Sequence, residues 1–219
     1  TFSRPAMSAT LVLTERLPEI GMRKLAERPQ VAVCVLPAPS ALELARALPG
    51  ADGVIMVMEQ PALTAELIDR SARLRVACRM GAGYDNIDVA ALTRRRIPLA
   101  TTGIANAHTV AEHALYLMLA LAKRGPALDR AVKNGAWPRD FGAVELAGLS
   151  CLVVGYGRIG RQVARLAAAF GMRIVVVDPQ VPEDVVAVDG FERADSLPAG
   201  LALADFIVLA CALTPATRH

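Results

Sequence analysis

The sequence has few of the features by which proteins bind nucleic acids. Aromatic residues make up only 4% of the 219 residues, and the 24 basic and 21 acidic side chains leave a net charge of +3. Nucleic-acid sites need a basic stripe or aromatic platforms for stacking. The one basic run, Arg94 to Arg96, closes a predicted helix, where cations suit the C-terminal end of the helix dipole. We therefore expect no nucleic-acid partner.

Long hydrophobic runs are also missing, although apolar residues make up 54% of the chain. The run from Ala114 to Ala122 is far shorter than the roughly 20 residues that cross a bilayer. The opening residues, TFSRPAMSAT, contain no apolar segment of signal-peptide length. We expect no membrane partner and a cytoplasmic location. Parallel strands that are buried on both faces account for the high apolar content.

Cysteine is scarce, and its spacing indicates no disulfide framework or C-x-x-C motif. The four residues are Cys34, Cys78, Cys151 and Cys211. Because each lies in or beside an apolar run, we predict four buried, reduced thiols.

Short apolar runs alternate with amphipathic segments over the first hundred residues. The runs are ATLVL, VAVCVL, GVIMV, LRVAC and IPLA, with helices predicted near 19–27, 41–48, 64–71 and 89–96. Alternating strands and helices are typical of a parallel sheet. A second series begins at Cys151 and includes a weak strand near Val185 to Val188.

A long apolar helix is predicted between the two series, in NAHTVAEHALYLMLALAKRG. Asn106 is a candidate N-cap, and Gly125 is a candidate stop signal. Because leucines and Met118 surround the helix almost completely, we place it either between two domains or in a dimer interface.

Three glycines in CLVVGYGRIG, residues 151 to 160, have the G-x-G-x-x-G spacing of dinucleotide-binding loops. A predicted strand precedes them and a predicted helix follows, which is the context that this motif needs. Gly155 permits the tight turn, Gly157 lets a pyrophosphate approach the helix N-terminus, and Gly160 lets helix and strand pack closely. The alternative is an ordinary tight turn.

Asp178 ends the next predicted strand, 18 residues beyond Gly160. A carboxylate at this place accepts hydrogen bonds from the adenosine ribose hydroxyls. Its charge repels a 2′-phosphate, so the sequence predicts NAD rather than NADP. The alternative role for Asp178 is helix capping.

His108 and Glu112 are four residues apart and share a helix face, so a carboxylate-oriented base is possible there. The alternative is a polar face on a buried helix. Together with His113 they miss the H-x-x-E-H metalloprotease spacing by one residue, so no metal site is predicted.

Four segments together resemble the D-isomer-specific 2-hydroxyacid dehydrogenases, a family that includes phosphoglycerate dehydrogenases, glyoxylate and hydroxypyruvate reductases and D-lactate dehydrogenases. They are RMGAGYDNIDVAALTRRRIPLATT, ANAHTVAEHALYLMLALAKR, VVGYGRIGRQVARLAAAFGMRIVVVDP and LTPATRH. The resemblance implies an α/β fold of two Rossmann-like, doubly wound parallel-sheet domains. Residues 1–103 are then the flavodoxin-like N-terminal part of a substrate domain, and residues 104–219 the N-terminal part of an NAD-binding domain that is incomplete as given.

The resemblance also implies site residues. Backbone groups of Ala82 and Gly83 hold the substrate carboxylate near the nicotinamide, and peptide N–H groups suit an anion. The residues implied to bind NAD are Gly155, Gly157, Arg158, Ile159, Gly160, Asp178, Cys211, Ala212, Thr217 and Thr109.

The family's catalytic Arg, Glu and His all lie downstream of the segment that ends at His219, so none of the three is present. Neither His108 nor His219 matches the catalytic histidine. We therefore expect a fragment without activity of its own. Two smaller departures are ACAL at 210–213, where many members have His or Pro, and GVIMVME, which lacks an arginine that several phosphoglycerate dehydrogenases use for the phosphate.

The function that the resemblance implies is NAD-dependent hydride transfer between C4 of the nicotinamide and C2 of a D-2-hydroxy acid or 2-oxo acid. A homodimer through the helix at 107–122 is expected. Two alternatives stay open: a non-catalytic NAD-binding interaction module, like the family's corepressors, and an inactive fragment.

Overall fold

The computed structural model describes residues 9–103, 105–214 and 216–218. The chain divides into two units, Thr1–Gly103 and Ile104–His219. Each unit has its own parallel sheet and its own apolar core.

The sheet of the first unit is built from the five apolar runs, and all its neighbouring strands are parallel. The strands are β1 (Ala9–Leu13), β2 (Val31–Val35), β3 (Gly53–Met56), β4 (Val76–Arg79) and β5 (Leu99–Thr101). Their order, β2-β1-β3-β4-β5, is that of flavodoxin-like folds. In register, Leu11 of β1 lies between Val33 of β2 and Gly53 of β3.

Four helices connect these strands: α1 (Glu19–Ala26), α2 (Ala41–Ala47), α3 (Ala65–Arg70) and α4 (Val89–Arg94). Side-chain N-caps begin three of them, because Ser40, Thr64 and Asp88 each accept a hydrogen bond from the backbone N–H three residues later. Buried residues such as Leu44, Ile68 and Leu92 pack α2, α3 and α4 against one face of the sheet, whereas α1 contributes no buried residue.

The second unit has a four-stranded parallel sheet, again built from apolar runs. The strands are β6 (Ser150–Val154), β7 (Arg173–Val177), β8 (Glu192–Arg193) and β9 (Phe206–Leu209). Their order, β8-β7-β6-β9, matches the first four strands of the Rossmann arrangement. The predicted α/β class with two Rossmann-like parallel sheets is confirmed.

The helices of this unit are α5 (Ala107–Ala122), α6 (Gly125–Lys133), α7 (Arg158–Ala169), α8 (Glu183–Val188) and α9 (Leu197–Leu201). One face of α5, which includes Leu115 and Met118, joins the core that holds α7 and β6. The opposite face stays exposed: Leu117 is 48% and Leu121 is 72% accessible. Asn106 precedes α5 without a side-chain cap.

The predicted strand at Val185 to Val188 is wrong, because these residues end helix α8. Glu183 and Asp184 lie in the first turn of this helix, where their negative charges interact favourably with the positive end of the helix dipole. Gly125 was predicted as a helix stop signal, but it is the first residue of α6. Arg124, which precedes it, has a left-handed φ of 52°.

The prediction of four buried thiols holds only for Cys151, on the central strand β6. Burial raises the pKa of Cys151 to about 11. Cys78 is half-buried, whereas Cys34 and Cys211 are exposed. Cys34 faces out because β2 is an edge strand with alternating exposure, and Cys211 lies just after β9.

Within the described residues, no helix combines the length and apolarity needed to cross a membrane.

Candidate functional site

The glycine turn begins where β6 ends. Gly155 has a φ of +93°, which glycine adopts without the strain of a side chain, and its N–H donates to the carbonyl of Val177 at 2.8 Å. A Cβ at this position would lie 2.5 Å from the backbone nitrogen of Cys211. The turn is therefore packed against the segment that follows β9, and the structure brings Gly155 and Cys211 together.

The Cβ positions of Gly157 and Gly160 have opposite surroundings, one open and the other blocked. Gly157 is the N-cap of α7, and no described residue beyond its chain neighbours has an atom within 4 Å of the position that its Cβ would take. A Cβ at Gly160 would lie only 2.0 Å from the carbonyl oxygen of Gly155. Gly160 thus closes the contact between helix and strand, while Gly157 leaves open space in front of the first turn of α7, which contains Arg158 and Ile159.

Asp178 directly follows β7 and reaches back to the glycine turn. Its Oδ2 accepts the N–H of Tyr156 at 2.8 Å, and its Oδ1 accepts the N–H of Gln180 at 2.9 Å. These two bonds hold the carboxylate in one orientation beside the turn, with lone pairs left for further donors.

The segment after β9 forms a hydrogen-bonded turn. The hydroxyl of Thr217 donates to the carbonyl of Ala212 at 2.6 Å and accepts the N–H of Thr214 at 2.7 Å. This turn orders the chain next to Cys211. Thr109 is different: it is exposed on the first turn of α5, and no described contact joins it to the glycine turn.

The neighbouring strands β6 and β9 mark the point where the strand order of the sheet reverses. In open parallel sheets, ligands bind in the crevice outside the carboxyl ends of such strands. The glycine turn and the segment at Cys211 both lie at these ends. The arrangement can therefore receive a dinucleotide, with its pyrophosphate at the N-terminus of α7.

A polar cluster beneath the turn was not predicted from the sequence. The buried Tyr156 donates its hydroxyl to Asp189 at 2.7 Å, and Arg165 pairs with the same carboxylate at 3.1 Å. Arg161 lies over the Tyr156 ring, 4.7 Å from its centroid, and donates to the Tyr156 carbonyl. The cluster ties the glycine turn to the residues that follow α8.

The titration of this cluster follows from its contacts. Burial raises the pKa of the Tyr156 phenol well above its ordinary value, and the nearby Asp189 carboxylate raises it further. The hydrogen bond from Tyr156 lowers the pKa of Asp189, and Arg165 lowers it further. The pair is thus a neutral phenol and a carboxylate near neutral pH. The one feature of the sequence that could have indicated this cluster is the position of Tyr156 between two glycines of the loop.

Replacing Tyr156 by phenylalanine removes the hydroxyl and keeps the ring. We expect the free energy of unfolding of the second unit to fall by about 1.5–3 kcal/mol, the usual contribution of a hydrogen bond to a charged group. Denaturant unfolding, followed by amide hydrogen exchange in β6 and β7, measures the change. Tyr84→Phe is the control, because Tyr84 is 49% exposed and lies in the other unit. Equal losses in both variants would contradict the assignment.

The predicted carboxylate-binding residues, Ala82 and Gly83, lie in the first unit, in the loop after β4. The carbonyl of Gly81 accepts the N–H of Thr102 at 3.2 Å, which fixes the start of this loop. Among the described residues, no group accepts the N–H of Ala82 or Gly83. These two donors are available to a ligand.

His108 and Glu112 form an exposed pair, with Nε2 and Oε1 3.2 Å apart. In the described part of the chain, no group of three or more His, Cys, Asp or Glu side chains is placed to hold a metal ion.

Residues 115–219 match the model of the NAD-binding domain of D-isomer-specific 2-hydroxyacid dehydrogenases. Residues 115–219 belong to this family. The match contains the glycine turn, Asp178 and the segment after β9, and it confirms NAD as the cofactor predicted for the domain.

Two curated relatives match most of the length of this chain. D-3-phosphoglycerate dehydrogenase of Methanocaldococcus jannaschii is 37% identical over 210 residues, which are 95% of this chain and 40% of the relative. Hydroxypyruvate reductase of Thermotoga maritima is 36% identical over 178 residues, or 81% of this chain and 56% of the relative. The chain thus spans about half the length of these relatives, or less.

A solved structure supports the same assignment. D-lactate dehydrogenase from Aquifex aeolicus, complexed with NAD and lactic acid, is 26% identical and has a TM-score of 0.84. The similarity covers 96% of this chain and 62% of the D-lactate dehydrogenase chain.

Proposed function

We propose that the chain is part of an NAD-dependent oxidoreductase that transfers a hydride between C4 of the nicotinamide and C2 of a D-2-hydroxy acid or 2-oxo acid. Residues 1–103 belong to its substrate domain and residues 104–219 to its NAD-binding domain. The observation that carries the proposal is the glycine turn at the reversal of strand order, with Asp178 held beside it.

Each part of the site has a role in holding the dinucleotide. The open space at Gly157 admits the pyrophosphate, which the N–H groups of Arg158 and Ile159 bind at the helix N-terminus. Gly155 and Gly160 keep the turn close to the sheet. Asp178 accepts the ribose hydroxyls. When bound, NAD supplies the hydride acceptor.

The residues on the nicotinamide side are Cys211, Ala212 and Thr217, with Thr109 as a further contact. The first three are ordered by the turn after β9. They form a wall beside Gly155 because Cys211 packs against it.

The substrate is a small 2-oxo acid or 2-hydroxy acid whose carboxylate binds the N–H groups of Ala82 and Gly83, which donate to no described residue. The named relatives, a D-3-phosphoglycerate dehydrogenase and a hydroxypyruvate reductase, support this class of substrate. The Arg, Glu and His that the family uses for catalysis have no counterpart among residues 1–219, so binding rather than turnover tests this chain.

We also propose that the enzyme acts in the cytoplasm as a homodimer, with α5 in the interface. The exposed Tyr116, Leu117 and Leu121 give this helix an apolar outer face, which favours burial against a second copy.

Alkylation of the cysteines tests the cofactor site without any need for turnover. Cys211 is exposed beside Gly155, so bound NADH is expected to cover its thiol. With NADH at about ten times its Kd, about one-tenth of the sites stay free, and the alkylation rate of Cys211 falls about tenfold. Mass spectrometry of iodoacetamide-treated protein measures the rate of each thiol.

Cys34 is the internal control, because it is exposed on β2 of the other unit and its rate should not change. NADPH at the same concentration is expected to protect Cys211 less, since Asp178 repels the 2′-phosphate. Unchanged alkylation of Cys211 at every NADH concentration would refute the proposed site.

A further inference from the structure

The backbone donors of the glycine turn differ in whether the protein itself uses them. The N–H of Gly155 donates to the carbonyl of Val177, and the N–H of Tyr156 donates to the carboxylate of Asp178, both at 2.8 Å. The N–H of Gly157 donates to no described residue, and Gly157 is exposed. An exposed backbone donor of this kind binds either water or a ligand. The direction in which the N–H of Gly157 points decides which ligand atoms it can reach.

That direction is set by the carbonyl of Tyr156, which belongs to the same peptide group. The peptide bond between Tyr156 and Gly157 is trans. In a planar trans peptide group the C=O and the N–H point in opposite directions. A contact that holds the Tyr156 carbonyl therefore also fixes the direction of the Gly157 N–H.

The side chain of Arg161 makes this contact. Its Nε donates to the Tyr156 carbonyl at 3.2 Å, and no other described group donates to that oxygen. The backbone N–H of Arg161 donates to the carbonyl of Gly157 at 3.0 Å, as the first helical hydrogen bond of α7. Arg161 thus holds the carbonyls of both Tyr156 and Gly157.

The guanidinium of Arg161 is itself held by two further contacts. Its Nη1 donates to Oδ2 of Asp189 at 3.4 Å, and the same oxygen accepts the Tyr156 hydroxyl at 2.7 Å. The guanidinium also lies over the Tyr156 ring, 4.7 Å from its centroid. The Asp189 side chain is only 17% exposed, so water screens this ion pair less than one at the surface. These contacts keep Nε directed at the Tyr156 carbonyl.

We propose that Arg161, oriented by Asp189, is a positioning residue for the dinucleotide. By holding the Tyr156 carbonyl, its side chain presents the N–H of Gly157 to the pyrophosphate, as a further donor beside those of Arg158 and Ile159. The assignment rests on the proposed function, which places the pyrophosphate in front of α7. Arg161 acts without touching the cofactor, because its Nε and Nη1 are bound to Tyr156 and Asp189.

Amide chemical shifts measured by NMR on the 219-residue chain test this role. The ligand is ADP-ribose, which keeps the pyrophosphate and lacks the nicotinamide. In the unmodified chain, ADP-ribose is expected to shift the amide resonance of Gly157 in a saturable way. Arg161→Met removes the guanidinium and keeps a chain of similar length. We expect the Kd to rise about tenfold, equivalent to about 1.4 kcal/mol, and the shift of the Gly157 amide at saturation to become smaller.

Arg165→Met is the matched control. Arg165 lies one turn further along α7 and pairs with the same carboxylate, 3.1 Å from Oδ1 of Asp189, but it makes no described contact with the glycine turn. Both substitutions remove a cation that pairs with Asp189, so both should lower stability. Only Arg161→Met should weaken the binding of ADP-ribose. An equal rise of the Kd in both variants would assign the effect to lost positive charge and would overturn the proposal.

Arg161→Lys carries the test if Arg161→Met does not fold. Lysine keeps the charge but has one nitrogen, in place of the two with which Arg161 holds the carbonyl and the carboxylate. The Kd for ADP-ribose should therefore rise by about threefold, half the free-energy change of a tenfold rise. A Kd equal to that of the unmodified chain would show that holding both groups together has no role in binding, which contradicts the proposal.

Asp189→Asn tests the contribution of the carboxylate. The amide oxygen of asparagine still accepts the Tyr156 hydroxyl, whereas the ion pair with Arg161 is lost. We expect a rise in the Kd that is smaller than in Arg161→Met, with the Gly157 amide shifted in the same direction in both variants. An unchanged Kd would show that Asp189 does not orient Arg161.

The unmodified chain separates this proposal from the proposed function. If ADP-ribose shifts no amide of the glycine turn in the unmodified chain, the proposed cofactor site is refuted, and the role of Arg161 with it. If ADP-ribose binds the unmodified chain and Arg161→Met equally well, the cofactor site stands and only the role of Arg161 is overturned.

Discussion

Gly160→Ala is expected to disrupt the second unit. A Cβ at this position would lie 2.0 Å from the Gly155 carbonyl oxygen, 3.1 Å from the Gly155 carbonyl carbon and 3.2 Å from a methyl group of Val153. Because the nearest atoms are backbone, no side chain can rotate away, and α7 must move off β6. We expect a loss of about 3 kcal/mol or more, beyond the usual cost of overpacking a core.

Such a loss is a large fraction of the 5–15 kcal/mol that typically stabilises a folded domain. Thermal unfolding followed by circular dichroism measures it, and amide hydrogen exchange in β6 assigns it to the second unit. The first unit, with its own core, should keep its protection. A Gly160→Ala protein as stable as the unmodified chain would show that the close packing of helix and strand is not as described.

Gly157→Ala is expected to weaken cofactor binding and to leave stability almost unchanged. The chemical change is the same as in Gly160→Ala and lies only three residues away. Gly157 has a φ of −78° and a ψ of −156°, which alanine adopts freely, and its Cβ position has no atom within 4 Å from any described residue beyond its chain neighbours. Stability should change by no more than about 1 kcal/mol, the cost of alanine at an N-cap.

Binding of NADH should suffer instead, because the methyl group occupies the space proposed for the pyrophosphate. If two backbone hydrogen bonds to the phosphates are lost, at about 1.5 kcal/mol each, the Kd rises about a hundredfold. Fluorescence titration with NADH gives the Kd of each protein. Tight binding of NADH by a folded Gly157→Ala protein would contradict the proposed placement of the pyrophosphate.

The strands and the glycine turn could be predicted because their signals are local. A parallel strand is apolar on both faces, so GVIMV and CLVVG stand out in the sequence. The open space at Gly157 and the tight contact at Gly160 were also expected from their places in the motif. The second sheet was harder, because β8 has only two residues, Glu192 and Arg193, and neither is apolar.

The polar clusters could not be predicted because they join residues that are distant in the sequence. Tyr156 meets Asp189 33 residues later, and Arg79 reaches the carbonyl of Val57 22 residues earlier. No spacing rule pairs these residues. Arg79 in particular ends an apolar strand, and only the structure shows that it is buried and that no carboxylate of the described residues forms an ion pair with it.

The place of β9 has a consequence for the order in which the protein folds as it is synthesised. Ser150 of β6 pairs with Arg173 of β7, which is synthesised soon after it. The N–H of Ser150 also donates to the carboxylate of Asp205, which lies 55 residues later in the chain. Joining distant segments costs chain entropy, so such contacts form late. Since Cys211 forms one wall of the glycine turn, a growing chain cannot complete this wall before residue 211 has left the ribosome. The cofactor site is thus among the last parts of the second unit to be finished.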